Sequence, residues 1–303
     1  MNRRSFLHLA PALGILASCG KTSKIRLALN WKPDPEFGGF YAADYKKHGL
    51  DVEILPGGAG TPTVQMVGAG SAEFGIVSGD EILLARSKGN DVAGLFASFQ
   101  KNPMAIMAHE SRKLEAIGDV VKEGTLAIQS GLPYARMLKQ KFGFDKVKVV
   151  PSPNGDIGPF LADEKFAMQC YMTAEPLAAR RKGAKVKTFL VSDTGYNPYG
   201  QVMAASGDLV RKQPEVVKAM VAAVTEGWKV YLADAKPTNE KMQALNPTMD
   251  MATFTEVAEV QKSLFEGAEL GNMTKERWQQ LAQQLKDLGD IPQIPNVEEC
   301  FRS

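Results

Sequence analysis

Short apolar runs of period two and longer runs of period three to four succeed one another along the chain. Ile25, Leu27 and Leu29 recur at period two and predict a strand that stops at Asn30-Trp31. Pro33 and Pro35 then fix φ at their own positions and bias the residues before them toward extended geometry, which predicts an ordered loop over 31–38. Gly38-Gly39 lets the backbone turn into a helix over 40–47 with Gly49 as its cap, and 51–55 is the next strand. Thr61 as N-cap and Pro62 at the first helical position predict a helix to residue 67. Strands follow over 72–77, 92–99 and 104–108, with a helix over 81–87 that Asp80 caps.

The alternation restarts at residue 111. Helices are expected over 114–122, 133–142, 157–164 and 175–182, and strands over 125–128, 146–151, 167–172 and 185–191. Strands spaced by helices of this length imply parallel pairing with helices on both faces. A short strand over 201–205 follows the turn-rich Gly195-Tyr-Asn-Pro-Tyr-Gly200, and from residue 208 the pattern is helical: 214–233, where Trp228 falls on the packed face, 251–265 and 275–288. Two α/β series whose strands end in small or polar residues make a cleft where their carboxyl ends face each other, and ligands of open α/β sheets bind at those ends.

Composition narrows the function. A chain of 303 residues with 44% hydrophobic content has enough core for two lobes. Its net charge of +2 with 23% charged residues argues against nucleic acid as a partner. Met1-Asn-Arg-Arg followed by an apolar run over 6–16 is a secretory signal, too short to span a bilayer, which needs ~20 residues. Leu16-Ala-Ser-Cys19 resembles a bacterial lipobox, so Cys19 is expected to carry a lipid that anchors the exported protein; Arg3-Arg4-Ser5-Phe6-Leu7 also has a twin-arginine pattern. Cys170 and Cys300 remain, and spacing leaves open whether they pair. Three histidines, no His or Cys cluster and no Gly-x-Ser-x-Gly elbow give no sign of a metal centre, a cofactor or a serine nucleophile.

Candidate chemistry gathers at the predicted strand ends. Trp31, Phe37 and Tyr41 lie at or near the end of the first strand. Trp31 is either core filler or a stacking surface, and its place beside a proline-stiffened loop favours stacking. Asp80 caps a helix and also stands at a strand end. The glycine-rich 56–62 turn has the amide donors of an anion site or is a plain strand-to-helix turn.

Asn30-Trp31-x-Pro33, Gly39-x-Tyr41-x-Ala43 and Gly49-Leu50-Asp51-Val52-Glu53-Ile54 resemble the opening of the solute-binding proteins related to thiamine-pyrimidine biosynthesis, a branch of the type II periplasmic binding proteins; the likeness spans about 25–270. The resemblance implies an α/β fold of two lobes joined by a two-crossover hinge. A signal would occupy 1–19, one lobe 20–109 with 200–303, and the other 110–199, with hinges at 104–110 and 197–205. It places Gln100 near the cleft, Tyr171 as a lining residue, Glu175 of Glu175-Pro176 as acceptor for an amino group on a heterocycle, and Asn197, with Tyr196 and Tyr199, at the cleft border or in a hinge turn. Phe37 stands where many relatives have a histidine, and the cysteine-rich motif of the pyrimidine-forming enzymes is missing. The expected role is therefore a monomeric, lipid-anchored receptor that delivers a small aromatic solute to the permease of an ATP-driven importer, without catalysis. A receptor for an aliphatic sulfonate, nitrate or similar anion is the alternative, and a pyrimidine-forming enzyme a more distant one.

Overall fold

A computed structural model describes residues 24–152, 155–267 and 269–302; the signal segment with Cys19, and Asn154, lie outside the described residues. The strands in chain order are β1 (Ile25–Ala28), β2 (Val52–Leu55), β3 (Phe74–Val77), β4 (Val92–Phe99), β5 (Met104–His109), β6 (Thr125–Ala127), β7 (Lys148–Val150), β8 (Phe166–Tyr171), β9 (Val186–Leu190) and β10 (Gly200–Ser206). The helices are α1 (Gly38–Ala42), α2 (Thr63–Gly68), α3 (Gly79–Ser87), α4 (Ile117–Val120), α5 (Pro133–Phe142), α6 (Gly158–Ala162), α7 (Glu175–Arg181), α8 (Gly207–Lys212), α9 (Pro214–Ala233), α10 (Lys236–Leu245), α11 (Met251–Val260) and α12 (Lys275–Asp287).

They form two five-stranded sheets, ordered β2-β1-β3-β10-β4 and β7-β6-β8-β5-β9. Both are mixed, against the parallel pairing expected. β10 runs antiparallel to β3 and β4, and β5 antiparallel to β8 and β9. The two exceptions are the strands that the chain enters on crossing from one sheet to the other. They are reached without a helical return, so nothing forces them into the parallel sense that a βαβ connection imposes. Met104–His109 pairs wholly within the second sheet, so the first crossing is the 100–103 segment rather than a boundary after residue 109.

Some local expectations shift for identifiable reasons. The helix expected over 40–47 is α1, beginning on Gly38 and ending at Ala42, with a separate turn Lys46–His48 closed by Gly49 at φ 74°. Here tertiary contact overrides propensity: a Cβ on Gly39 would sit 2.1 Å from the Trp228 ring, and one on Gly227 2.2 Å from the Gly39 carbonyl. Only glycine lets α1 and α9 approach this closely. Trp228 is buried there, edge-on to Phe40 at 5.8 Å. Helix α2 starts two residues after Thr61, whose hydroxyl instead accepts the Gly58 amide at 2.8 Å and closes the turn. Cys170 and Cys300 are free, buried in different core clusters.

Candidate ligand cleft

Three segments that leave the carboxyl ends of strands meet between the sheets: the loop after β1, the start of α3 after β3, and the turn from β8 into α7. In the first, Asp34 caps the turn Pro35–Phe37 by accepting the Glu36 amide at 2.9 Å. That turn rolls Phe37 into the core, where it has no exposed surface, and swings Glu36 toward the second sheet. Glu36 Oε1 accepts from the Thr173 hydroxyl of the opposite sheet, and Oε2 accepts from Gln201 Nε2 at 2.8 Å. Both carboxyls are buried. Desolvation pushes the Asp34 pKa well up, with repulsion from Glu36 adding to it. It also raises that of Glu36 despite the Thr173 and Gln201 hydrogen bonds.

The other two segments bring further carboxylates. Asp80 Oδ1 accepts from the Ser78 hydroxyl and its Oδ2 from the Tyr196 hydroxyl at 3.0 Å. Ser78, rather than Asp80, is the N-cap of α3; Glu81 completes the cap by accepting the Ser78 amide at 2.8 Å. Glu175 accepts the Tyr171 amide at 2.9 Å, and burial raises its pKa, as it does that of Glu81. The Tyr171 hydroxyl stands among these groups: its pKa is raised by burial first and then by the charges of Glu36, Glu81, Asp80 and Glu175. None of Asp34, Glu36, Asp80, Glu81 and Glu175 has an ion-pair partner among the described residues.

The structure thus brings Asp80, Tyr171 and Glu175 together. Trp31 lies outside the core with 46% of its surface exposed, on the same loop as Asp34 and Glu36. Phe37, grouped with Trp31 and Tyr41 as candidate ligand chemistry, is instead core and offers no face for stacking. Tyr41 is half-buried behind the loop. Its hydroxyl has no hydrogen-bond partner among the described residues, and burial with the nearby Asp34 charge pushes its pKa up to about 12. Gln100 and Asn197 join the two crossings to each other. Asn197 Oδ1 accepts the Asn102 amide at 2.9 Å, and its Nδ2 donates to the Gln100 carbonyl at 3.3 Å. Arg277 donates from Nε to the Asn197 carbonyl at 3.0 Å and lies 3.8 Å above the Tyr199 ring, while Gln100 Nε2 donates to the Asn272 carbonyl at 3.0 Å. Gln100 and Asn197 are engaged at this junction through both the oxygen and the nitrogen of their side-chain amides.

Two residues escaped the sequence reading. Glu36 was signalled only by an acidic pair around a proline at a strand end. Gln201 carried no signal. Its backbone adopts φ 47°, a left-handed conformation that costs a residue with a side chain roughly 1 kcal/mol or more, and its Oε1 is buried without a partner among the described residues. No three His, Cys, Asp or Glu side chains among the described residues converge as a metal site.

Residues 34–239 match the family described as NMT1/THI5 like. A riboflavin-binding protein of Chloroflexus aurantiacus is 24% identical over 239 residues, spanning 70% of this chain and 63% of its own length. The formylaminopyrimidine-binding protein of Halalkalibacterium halodurans is 22% identical and is aligned over 100% of this chain and 99% of its own. Among solved structures, the periplasmic aliphatic sulphonate binding protein of Escherichia coli superposes with a TM-score of 0.71 at 12% identity, covering 92% of each chain.

Proposed function

This chain belongs to the NMT1/THI5-like family, and from that premise we propose that it is the solute-binding component of an ATP-driven importer, its two lobes closing over a small nitrogen heterocycle. The observation that carries the ligand class is that Glu36, from the loop after β1, reaches across to Thr173, two residues before Glu175, so that two buried carboxyls from opposite sheets share one cleft without a cation among the described residues. Such a site holds acceptors for N–H groups. Trp31 supplies an exposed ring for stacking, worth about 0.5–1.5 kcal/mol beyond area burial, and Tyr171 lines the opposite wall. The names of the two relatives, a riboflavin-binding and a formylaminopyrimidine-binding protein, point the same way. A sulfonate or nitrate would have to sit against uncompensated carboxylates, which Coulomb's law disfavours.

In this reading the polypeptide is exported, held at the membrane by lipid on Cys19, and works as a monomer that hands its solute to a permease without catalysis. The lobes part at the 100–103 and 191–199 segments, which act as the hinge. Contacts that span the lobes, Glu36 with Thr173 and Arg181 with Thr253 and Glu256, hold the closed form. A thermal-melt panel of riboflavin, thiamine, formylaminopyrimidine, taurine and nitrate tests the reading. A binding heterocycle at 100 times its Kd adds about 2.7 kcal/mol and raises the melting temperature; a response to taurine or nitrate alone would remove the heterocycle.

A further inference from the structure

We infer that the ligand carries a positively charged nitrogen, a protonated amine or amidine, seated against Glu36 and the free oxygen of Gln201. This rests on the receptor reading above and goes beyond it: the rings that the relatives' names specify are uncharged, and the positive charge is argued from this cleft alone.

The argument begins with hydrogen-bond accounting. Glu36 and Gln201 are both less than a tenth exposed. Gln201 turns its amide nitrogen to Glu36 Oε2 at 2.8 Å, so its Oε1 lies beside the same carboxylate, buried and without a donor among the described residues. A buried acceptor left unpaired costs on the order of 1–3 kcal/mol, and an uncompensated buried charge costs more. Gln201 makes this contact from a left-handed backbone, φ 47°.

Charge accounting points the same way. The cleft carries carboxylates from three segments, and no lysine or arginine pairs with any of them among the described residues. Arg277, a half-buried cation at the hinge, forms no ion pair with them: its Nε and Nη1 are held by Asn197 and Gln100 and its plane by the Tyr199 ring, while its Nη2 is buried without a partner among the described residues. Local work accounts for part of the set: Asp80 and Glu81 serve the start of α3, and Glu175 the turn before α7. Glu36 accepts only from neutral donors, Thr173 and Gln201, and has no cation beside it among the described residues. An ammonium or amidinium group has only donors, and so supplies at one stroke the countercharge for Glu36 and the missing donor for Gln201. A metal ion does not fit, because the acids are spread around the tyrosine rather than gathered on one point.

The test is a pair of probes with one ring and different charge: 4-amino-5-aminomethyl-2-methylpyrimidine, protonated on its aminomethyl group at neutral pH, and its uncharged N-formyl derivative. Titration calorimetry on the purified protein should give at least about tenfold tighter binding for the charged probe, the scale of one charge-assisted contact. Glu36→Gln, which keeps the size but turns one of the two acceptor oxygens into a donor, should abolish that preference, so that the two probes bind alike; its circular dichroism and melting curve report that it is folded. Gln201→Ala should reduce the preference in the same direction. If the neutral probe binds as tightly as the charged one, or if Glu36→Gln keeps the preference, the inference falls while the heterocycle receptor stands. If neither pyrimidine nor thiamine binds and taurine does, the receptor reading falls with it.

Discussion

Within the loop after β1, neighbouring side chains have opposite fates, and mutation separates them. Trp31 is exposed and Phe37 fully buried, six residues apart on one proline-stiffened segment. Trp31→Ala is expected to weaken binding of a heterocyclic probe by one to two orders of magnitude, roughly 1–3 kcal/mol, with the melting temperature nearly unchanged. Phe37→Ala removes a ring packed in the first sheet's core and should cost about 3–5 kcal/mol of stability in urea unfolding. A Trp31→Ala protein that binds normally but melts early would reverse the assignment. The sequence made the exposure of Trp31 legible because Pro33 and Pro35 keep its segment out of regular structure. It misled at Phe37 because a three-residue turn capped by Asp34, invisible to periodicity, decides which way the ring points. Gln201 was beyond reach, since its left-handed backbone is imposed by the crossing and not by its own preference.

Elements were most legible where local and tertiary preferences agree. The spans of α5 and α9 coincide with the sequence expectation, each opened by a proline at its first position, and α5 ends at Gly143 with φ 69°. They diverged where packing between distant segments rules, as at α1, which begins on two glycines that intrinsic propensity disfavours. Its contact with α9 is backbone against backbone, and that makes it brittle. Gly227→Ala would place a methyl group 2.2 Å from the Gly39 carbonyl, which cannot move aside as a side chain can. Overpacking of this kind costs about 1–3 kcal/mol; denaturant midpoints of Gly227→Ala against wild type measure it. An unchanged midpoint would mean that α9 can slide on α1 freely. The sense of β5 and β10 was hidden for a related reason, since strand periodicity says nothing of which neighbour a crossing strand will meet.

At the scale of the whole molecule, closure gathers buried acids, and this makes stability depend on pH in a direction that can be worked out. Burial raises the carboxyl pKa values of Asp34, Glu36, Glu81 and Glu175 in the folded protein. A raised folded-state pKa means that the folded form binds more protons than the unfolded one. The stability these groups contribute is therefore full below the ordinary carboxylate range, about 4, and is lost as pH rises through the raised values. Carboxylates with lowered pKa values, such as Glu73, Asp91 and Asp119, act oppositely, but their contribution is lost only on acidification below that range. Between pH 5 and pH 8 the cleft acids should dominate, and the empty protein should melt higher at pH 5. Glu36→Gln removes one of them while keeping its shape. It should melt above wild type at pH 8 and show a shallower pH dependence, so the site would be less stable with its carboxylate than without it. A positively charged ligand inverts the trend, because it needs the carboxylate ionised, and its stabilising effect should grow from pH 5 to pH 8. Parallel melting profiles for wild type and Glu36→Gln across that interval would show that Glu36 does not titrate there, and the strain that a ligand is to relieve would have to lie elsewhere.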